Sequence, residues 1–393
     1  MSLLLKNCRL VSPGIDRAWS SLRVQTDRIA EIGEDLAENE AEEVIDAQGL
    51  IAMPGFIDIH SHGRSRCDFC DATQDALQTL GREKLQDGVT GFLTTTLTVS
   101  RDTLRKTCQE SAMYARNPDS GASMLGVHLE GPFLNPECAG AQNPAYLLNP
   151  DIKLVDELNA IVPVKKVSYS PELPGAIEFT RELVQRGIVA SAAHSSADYD
   201  CFLEAHAAGL THITHFCNMI TPMHHLRFGM VGGGLLAPDV YVELICDGIH
   251  LLDQMIDLIV RVKGPKRTML ITDSMSAAGC PDGDYALGGL PVRVANGCAR
   301  LLTGQIAGST LVYYKGFQRY VRATGLPLCE AVRATSLNQA ESLGIPDRGR
   351  LQKGFIADIV LTNGKLEPQI TIVGGKVKWR KSAQGRAGCP SPV

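Results

Sequence analysis

"PGFIDIHSHG", residues 54–63, places two histidines, His60 and His62, directly after an apolar run. A run of this kind, closed by a glycine, predicts a β-strand over residues 55–62. Side chains two residues apart lie on the same face of a strand, so both imidazoles would project together from its end. The pair predicts either two ligands of one metal ion or two polar residues that meet water at a strand end.

Further β-rich runs follow this one, and amphipathic helical patterns separate them. The predicted strands cover residues 89–97, 123–131, 164–172, 187–195, 212–218, 240–248 and 268–274. Many of these runs are rich in Val, Ile, Leu and Thr, as are parallel strands that are buried on both faces. Ser100 is a candidate N-cap, and the glycine-rich stretch 219–239 is less clearly helical. Eight strand–helix units in about 270 residues predict an α/β fold, a TIM-type (β/α)8 barrel.

The two ends of the chain have a different pattern. Residues 1–53 and 347–380 alternate in strand fashion with turns, which predicts one small β-sandwich domain built from both ends. The barrel domain would then span residues 54–346, with hairpins inserted near 280–308. The final stretch, 381–393, is predicted to be a disordered tail.

The composition excludes several classes of function. The chain has 38 Lys and Arg and 43 Asp and Glu, so it is mildly acidic, and it contains no long basic run. Neither nucleic acid nor an anionic membrane is therefore an expected partner. No apolar run has the length of a signal peptide or a membrane span, and a cytoplasmic location is expected. The twelve cysteines are scattered. Cys67 and Cys70 have CxxC spacing without a second pair, and we interpret them as thiols near a loop.

In a TIM barrel the chemistry lies at the C-terminal ends of the strands. The predicted ends carry His, Glu and Asp side chains, namely His60, His62, Glu130, His194, His215, Asp247, His250 and Asp273. Packing does not explain such a set, whereas metal-dependent hydrolysis does. His212 lies an odd number of residues from His215 and is interpreted as structural. His128 is interpreted as a hydrogen-bonded core residue, with support of the ligands as the alternative.

Six motifs occur in an order that resembles the amidohydrolase superfamily and, within it, the N-acetylglucosamine-6-phosphate deacetylase family. They are "PGFIDIHSHG", "GVHLEGPFLNP", "AAHSSA", "THFCNM", "CDGIH" and "LITDSMSAAG". With the closing "GRLQKGFIADIVLTNG", the resemblance spans residues 50–380. "HLEGPF" is the motif most specific to the deacetylases. The resemblance implies a homodimer that acts on a small amino sugar.

The resemblance also implies roles for single residues. The matching metal ligands are Glu130, His194 and His215, and His60 and His62 match a pair that helps hold a second metal in some members. Asp273 matches the catalytic aspartate, while His250 and Asn218 match residues that contact the sugar phosphate. The implied cofactor is one or two divalent ions, with zinc as the first expectation and iron or another divalent metal as alternatives.

Two positions depart from the family pattern. Gln142 replaces a histidine in the loop after "HLEGPF", although a neutral amide can still donate a hydrogen bond to a carbonyl oxygen. Leu226 replaces the phosphate-binding arginine, and Arg227 follows it directly. A small loop shift would bring Arg227 to the phosphate. Alternatively, Arg64 and Arg66 hold an anion from another side of the mouth.

These residues predict hydrolysis of the N-acetyl group of N-acetylglucosamine 6-phosphate, with Asp273 as general base and then general acid. One alternative is deacetylation of another N-acyl amino sugar or of an N-acyl amino acid. A cyclic-amide hydrolase is a second alternative. Many of these enzymes bridge two metals with a modified lysine on strand four. This chain has lysines only at the start of that strand, which favours the deacetylases. A non-catalytic barrel relative is disfavoured because all six expected positions are filled.

Overall fold

The computed structural model describes residues 2–38, 41–117 and 121–382. Within these ranges the strands are β1 (Ser2–Ser12), β2 (Ile15–Gln25), β3 (Arg28–Gly33), β4 (Glu43–Asp46), β5 (Ile51–Pro54), β6 (Phe56–Asp58), β7 (Gly63–Arg64), β8 (Cys67–Asp68), β9 (Val89–Thr96), β10 (Ser123–Glu130), β11 (Val164–Tyr169), β12 (Val189–Ala192), β13 (His212–Ile213), β14 (Tyr241–Ile245), β15 (Thr268–Ile271), β16 (Gly283–Leu287), β17 (Leu290–Ala295), β18 (Cys298–Leu301), β19 (Ile359–Thr362), β20 (Pro368–Val373) and β21 (Lys376–Arg380).

The helices of the same ranges lie mostly between the barrel strands. They are α1 (Gln74–Lys84), α2 (Arg101–Ala115), α3 (Ile152–Ile161), α4 (Ala176–Gln185), α5 (Tyr199–Ala207), α6 (Gly229–Leu236), α7 (Asp253–Lys263), α8 (Tyr313–Thr324), α9 (Leu328–Ala331) and α10 (Leu337–Ser342). Short 3-10 turns span Phe69–Asp71, Leu85–Asp87, Pro136–Cys138, Pro144–Tyr146 and Val332–Thr335. None of the helices in the described part of the chain is long and apolar enough to cross a membrane.

The central sheet confirms the predicted TIM-type barrel. Its eight parallel strands follow the order β15-β14-β13-β12-β11-β10-β9-β6. Backbone hydrogen bonds just beyond the strands join the first unit to the last: the Asp273 N–H donates to the His60 oxygen (2.9 Å), and the His62 N–H to the Ser274 oxygen (2.8 Å). The residues that follow β6 and β15 therefore lie side by side at the mouth.

Several barrel strands end earlier than the sequence predicts. The first strand stops at Asp58, two residues before His60, and β13 consists of only two residues. The backbone explains part of this difference, because His194, His215 and Asp273 have φ angles of 46°, 32° and 48°. A left-handed residue cannot continue a strand. Apart from Glu130, the last residue of β10, the candidate donor residues consequently lie in the loops beyond the strand ends.

The helices around the barrel follow local sequence signals. The Ser100 side chain accepts a hydrogen bond from the Thr103 N–H (3.1 Å), which confirms the predicted N-cap of α2. The glycine-rich stretch contains α6. A Cβ atom on Gly233 would lie 2.4 Å from Phe202 Cδ1, so the missing side chain lets α6 pack directly against α5.

The chain ends form one mixed sheet. Its order is β21-β20-β19-β5-β1-β2-β3, and β4 pairs with β1. Strands from both ends meet where β19 runs antiparallel to β5, with Ile359 opposite Pro54. The buried side chains of this sheet include Leu5, Leu22 and Ile359. This sheet agrees with the predicted small β-domain. The Lys381 N–H still donates to the Gln369 oxygen (2.8 Å), and the predicted tail from 383 onward lies outside the described residues.

The predicted hairpin insertion is present between β15 and α8. Its strands β16, β17 and β18 form an antiparallel sheet of their own. Leu287 at the end of β16 is buried in a cluster with Leu97 and Met275, and these two lie in the segments that follow β9 and β15. The insertion therefore packs onto the C-terminal mouth of the barrel.

Candidate active site

Two groups of three donor side chains lie at the mouth of the barrel. One group consists of His60, His62 and Asp273, and the other of Glu130, His194 and His215. All six side chains are buried, and the donor atoms within each group lie within 4.8 Å of one another. The structure thus brings together the five predicted metal ligands and the predicted catalytic aspartate.

Glu130 lies between the two groups. Its Oε1 is 3.1 Å from His215 Nε2 and its Oε2 is 3.1 Å from His62 Nε2. Within the second group His215 Nε2 is 3.1 Å from His194 Nε2, and within the first His62 Nε2 is 3.3 Å from Asp273 Oδ1. Ligands from both groups therefore converge on the Glu130 carboxylate, which has the geometry of a bridge.

The donor set fits a divalent metal. Imidazole nitrogens and carboxylate oxygens are the ligands that zinc takes in proteins, and two Nε2 atoms at 3.1 Å need a cation or a proton between them. His194 Nδ1 lies 2.9 Å from the Cys138 carbonyl oxygen, which can only accept a hydrogen bond. Nδ1 of His194 therefore carries a proton, and in the neutral form of the ring Nε2 has the free lone pair that a metal requires.

Electrostatics lead to the same conclusion. Burial by itself lowers the pKa of His60, but the carboxylates of Glu130 and Asp273 outweigh burial and raise this pKa to about 9. Burial by itself raises the pKa of the Glu130 and Asp273 carboxyl groups. Nearby histidines, among them His60, lower these pKa values by more than burial raises them, so both lie well below their usual range. With neutral imidazoles the site carries two negative charges, which a divalent cation offsets.

Gln142 contacts Glu130. Its Nε2 donates to Glu130 Oε2 (2.5 Å), and its Oε1 accepts from the Thr98 N–H (2.7 Å). The amide is thus fixed at both ends, and one of its two N–H groups is committed to Glu130. Gln142 also lines the cavity at the site.

Of the residues predicted to contact the sugar or its phosphate, only Asn218 lines the cavity, whereas His250 and Arg227 lie outside it. His250 is held through its Nδ1 by Asp247 Oδ2 (2.7 Å); burial alone lowers the pKa of His250, and this hydrogen bond outweighs burial and raises it. Arg227 lies on the exposed loop before α6 and is not among the cavity residues. Leu226 beside it is 79% exposed.

The two other candidate anion-binding arginines have partners elsewhere. Arg64 is buried and forms an ion pair with Asp87, so its charge is already offset. The Arg66 guanidinium lies over the ring of Tyr285, 5.3 Å from the ring centre. The structure therefore gives no support to Arg64 as an anion site at the mouth.

The two remaining barrel histidines are core residues. His128 Nε2 is hydrogen-bonded to Ser168 Oγ (2.7 Å), and burial holds the pKa of His128 well below its usual value. His212 stacks on Tyr241 with ring centres 5.1 Å apart, and burial lowers the pKa of His212 to about 3. Both therefore stay neutral in the folded protein, as the sequence interpretation of each expects.

Sequence reasoning missed a buried ion pair beneath the site. Lys166 on β11 pairs with Glu243 on β14, and neither side chain is exposed to solvent. The sequence pattern places the lysines of strand four at the start of that strand and assigns no role to Glu243. The signal available in the sequence was a charge within an apolar run, since Glu243 stands inside "VYVELIC", residues 240–246.

The insertion forms part of the cavity wall. The cavity measures about 30 Å³, and the residues that line it are His62, Glu130, Gly140, Ala141, Gln142, His194, His215, Asn218, Met219, Asp273, Leu287, Ile306 and Gly308. Leu287 and Ile306 belong to the insertion and its connection to α8. This volume suits one or two small groups rather than a whole sugar.

Comparisons of the sequence with known proteins identify one family. The model of the amidohydrolase family matches residues 51–378. An N-acetylglucosamine-6-phosphate deacetylase of Lysinibacillus sphaericus is 32% identical over 380 residues, 96% of this chain and 98% of that protein. An N-acetylgalactosamine-6-phosphate deacetylase of Escherichia coli O157:H7 is 33% identical over 85% of this chain and 89% of its own length.

A solved structure has the same fold over nearly the whole chain. It is that of a mutant N-acetyl-D-glucosamine-6-phosphate deacetylase from Mycobacterium smegmatis in complex with N-acetyl-D-glucosamine-6-phosphate, with a TM-score of 0.89 and 29% identity over 96% of this chain and 99% of that one. The chain therefore belongs to the amidohydrolase family, in which it groups with the N-acetylglucosamine-6-phosphate deacetylases.

Proposed function

We propose that this hydrolytic enzyme cleaves the N-acetyl group of N-acetylglucosamine 6-phosphate to give acetate and glucosamine 6-phosphate. The observation that carries the proposal is the pair of donor groups that meet at Glu130, in a chain whose relatives are named for this reaction. The relative named for the galactosamine sugar makes N-acetylgalactosamine 6-phosphate the second candidate.

The six donor residues would hold one or two divalent ions, with zinc as the first expectation and iron as an alternative. Glu130, His194 and His215 supply one site, and His60, His62 and Asp273 supply the other. When bound, such an ion lowers the pKa of water and polarises the amide carbonyl.

Asp273 is the proposed general base and acid. Its Oδ1 lies 3.3 Å from His62 Nε2 and 3.4 Å from His60 Nε2, within the proposed metal centre. The carboxylate accepts a proton from water as the carbon–oxygen bond forms, and it returns this proton to the amine nitrogen as the carbon–nitrogen bond breaks. Gln142 lines the cavity, and we assign to its second N–H a hydrogen bond to the carbonyl oxygen, which becomes negative in the tetrahedral intermediate.

The phosphate would be bound outside the cavity. None of the described residues that line the cavity is Lys or Arg. We assign the phosphate to Arg227, because it is the cation on the loop that leads from Asn218 towards α6. His250, oriented by Asp247, and Asn218 would contact the sugar phosphate.

Acetate release by the zinc-loaded protein tests this proposal. N-acetylglucosamine 6-phosphate, its C4 epimer N-acetylgalactosamine 6-phosphate and unphosphorylated N-acetylglucosamine are compared by kcat/KM. We expect the first to be hydrolysed fastest and the unphosphorylated sugar at least ten times more slowly. Preference for the galactosamine sugar would support the second candidate, and equal rates with and without phosphate would remove the role of Arg227.

We further propose a homodimer. Eight of the fifteen large apolar side chains that are exposed among the described residues lie between 223 and 262. Four of them form one stripe along α7: Leu252, Met255, Leu258 and Val262, which are 64%, 38%, 45% and 50% exposed. An apolar patch of this kind on a soluble protein is typical of an interface, and a second copy is its proposed occupant.

The domain division and the location are proposals as well. Residues 1–53 and 347–380 would form the small domain, since β5 and β19 pair in one sheet, and residues 54–346 would form the barrel. Ten of the eleven cysteines in the described ranges are free thiols, while Cys280 is disulfide-bonded, and this balance favours a reducing compartment and therefore the cytoplasm.

A further inference from the structure

The pair of Glu243 and Lys166 lies directly beneath one of the proposed metal ligands. Glu243 Oε1 accepts from the Lys166 ammonium group, and its other oxygen faces His60, with Oε2 and His60 Nδ1 3.8 Å apart. Both of these facing atoms are buried, and neither has a hydrogen-bond partner. A shift of about 1 Å would bring them to hydrogen-bond distance.

The opposite edge of the His60 ring faces the metal site. His60 Nε2 is 3.3 Å from His62 Nε2 and 3.4 Å from both Asp273 Oδ1 and Glu130 Oε1. A neutral imidazole carries one proton, so His60 can ligate through Nε2 only when that proton is on Nδ1. A carboxylate oxygen only accepts hydrogen bonds, and it therefore favours the tautomer with the proton on Nδ1.

We propose that Glu243, held by Lys166, is a positioning residue that keeps the proton of His60 on Nδ1 and so prepares Nε2 for the metal. This inference rests on the proposed metal centre. Partners of this kind, behind the ligand, fix the tautomer and the orientation of the ring, and their loss weakens metal binding by about 10–100-fold.

Lys166 has a defined part in this arrangement. A carboxylate alone in the barrel interior would be an uncompensated buried charge, which is strongly unfavourable. Pairing with Lys166 offsets this charge and fixes Oε1, so that only Oε2 is left to face His60. The Lys166 ammonium group only donates hydrogen bonds. It would therefore bind the oxygen of an amide at position 243, and the amide nitrogen would face His60.

The test compares two variants of equal charge. Lys166→Met with Glu243→Met leaves no acceptor for His60, whereas Lys166→Met with Glu243→Gln leaves an amide oxygen that can turn towards Nδ1. The metal-free proteins are titrated with Co²⁺, and the affinity and visible spectrum of each bound ion are recorded. We expect the double-Met variant to bind one of two ions about 10–100-fold more weakly, and the Gln variant to remain within about threefold of the wild type.

A third variant covers a failure of either double variant to fold. Glu243→Gln alone should also weaken one ion by about 10–100-fold, because Lys166 holds the amide oxygen and the amide nitrogen then faces His60. Asp358→Asn is the control, since this buried carboxylate pairs with Arg348 just before β19 and should leave both ions unaffected. Circular dichroism verifies the fold of each variant.

The outcomes separate this inference from the proposed function. Two ions in the wild type with unchanged affinities and spectra in the folded variants would overturn the role of Glu243 alone. A wild-type protein that binds one ion at the Glu130 group and none at the His60 group would overturn this inference and leave the proposed function with a single ion. Equal weakening in the two double variants would show that charge or packing, and not the acceptor, supports His60, and would also overturn the inference.

Discussion

The backbone at three of the six donor residues is left-handed, at His194, His215 and Asp273. This conformation is costly for residues other than glycine, and it persists only where the surrounding structure enforces it. Here the backbone hydrogen bond from Asp273 to His60 is one such constraint. The turn at each of these residues directs its side chain into the site, which a regular strand would not do for all three.

Asp273 is the residue on which the proposed chemistry depends most. We expect Asp273→Asn to lower the kcat for acetate release by about 10²–10⁴-fold, because an amide can neither accept the proton from water nor return it to the amine. Steady-state kinetics with metal analysis of the same samples would measure this. Asp284→Asn, an exposed carboxylate of the insertion, is the control and should keep the wild-type kcat. A variant at position 273 with full activity and normal metal content would exclude the proposed role.

His212 makes the stability of the protein depend on pH. Its pKa is about 3 in the folded protein and 6.5 when unfolded, so its contribution is present above pH 6.5 and is lost as the pH falls towards 3. Between pH 7.5 and 5 this amounts to about 2 kcal/mol of unfolding free energy. We expect His212→Phe, which keeps the stack on Tyr241, to lose less stability over that range in urea unfolding. His225→Phe on the exposed loop should behave as the wild type does; an unchanged slope in His212→Phe would contradict the assignment.

At the scale of elements, hydrophobic periodicity and residue propensity predict that a strand exists better than they predict where it ends. All eight predicted barrel strands exist, yet β6 and β13 are reduced to three and two residues. The side-chain alternation that first grouped His60 with His62 therefore does not apply to them, since both lie in a loop. They come together because the loop is held by the neighbouring unit, where the His62 N–H donates to the Ser274 oxygen.

The start of α2 offers a test of a purely local signal. Ser100→Ala removes the acceptor for the Thr103 N–H, and we expect it to lower the unfolding free energy by about 0.5–2 kcal/mol. Ser100→Gly should lower it by only a few tenths of a kcal/mol, because glycine leaves the helix end open to water. Urea denaturation of both variants measures the difference. Equal stability of Ser100→Ala and the wild type would show that tertiary packing, and not the cap, defines this helix end.

At the scale of the whole molecule, the apolar stripe on α7 predicts association. Leu258→Glu places a charge in the centre of the stripe, and we expect it to shift the protein from dimer to monomer in light scattering coupled to size exclusion. Val184→Glu on α4, which is exposed to the same 45%, is the matched control and should remain dimeric. A wild-type protein that is monomeric at all concentrations would refute the proposed interface.

The sequence by itself determined the eight strand–helix units and the sheet shared by both chain ends, because hydrophobic period is a local property. It also placed His, Glu and Asp side chains at the strand ends, and the resemblance to the deacetylase family selected six of them as five metal ligands and a catalytic aspartate. Only the tertiary structure decided that Arg64 is bound to Asp87 and that Gln142 donates to Glu130. The pairing of Glu243 with Lys166 belongs to the same class, since 77 residues separate the two in the chain. Such contacts depend on which side chains share the inside of the closed barrel, and no local pattern carries that information.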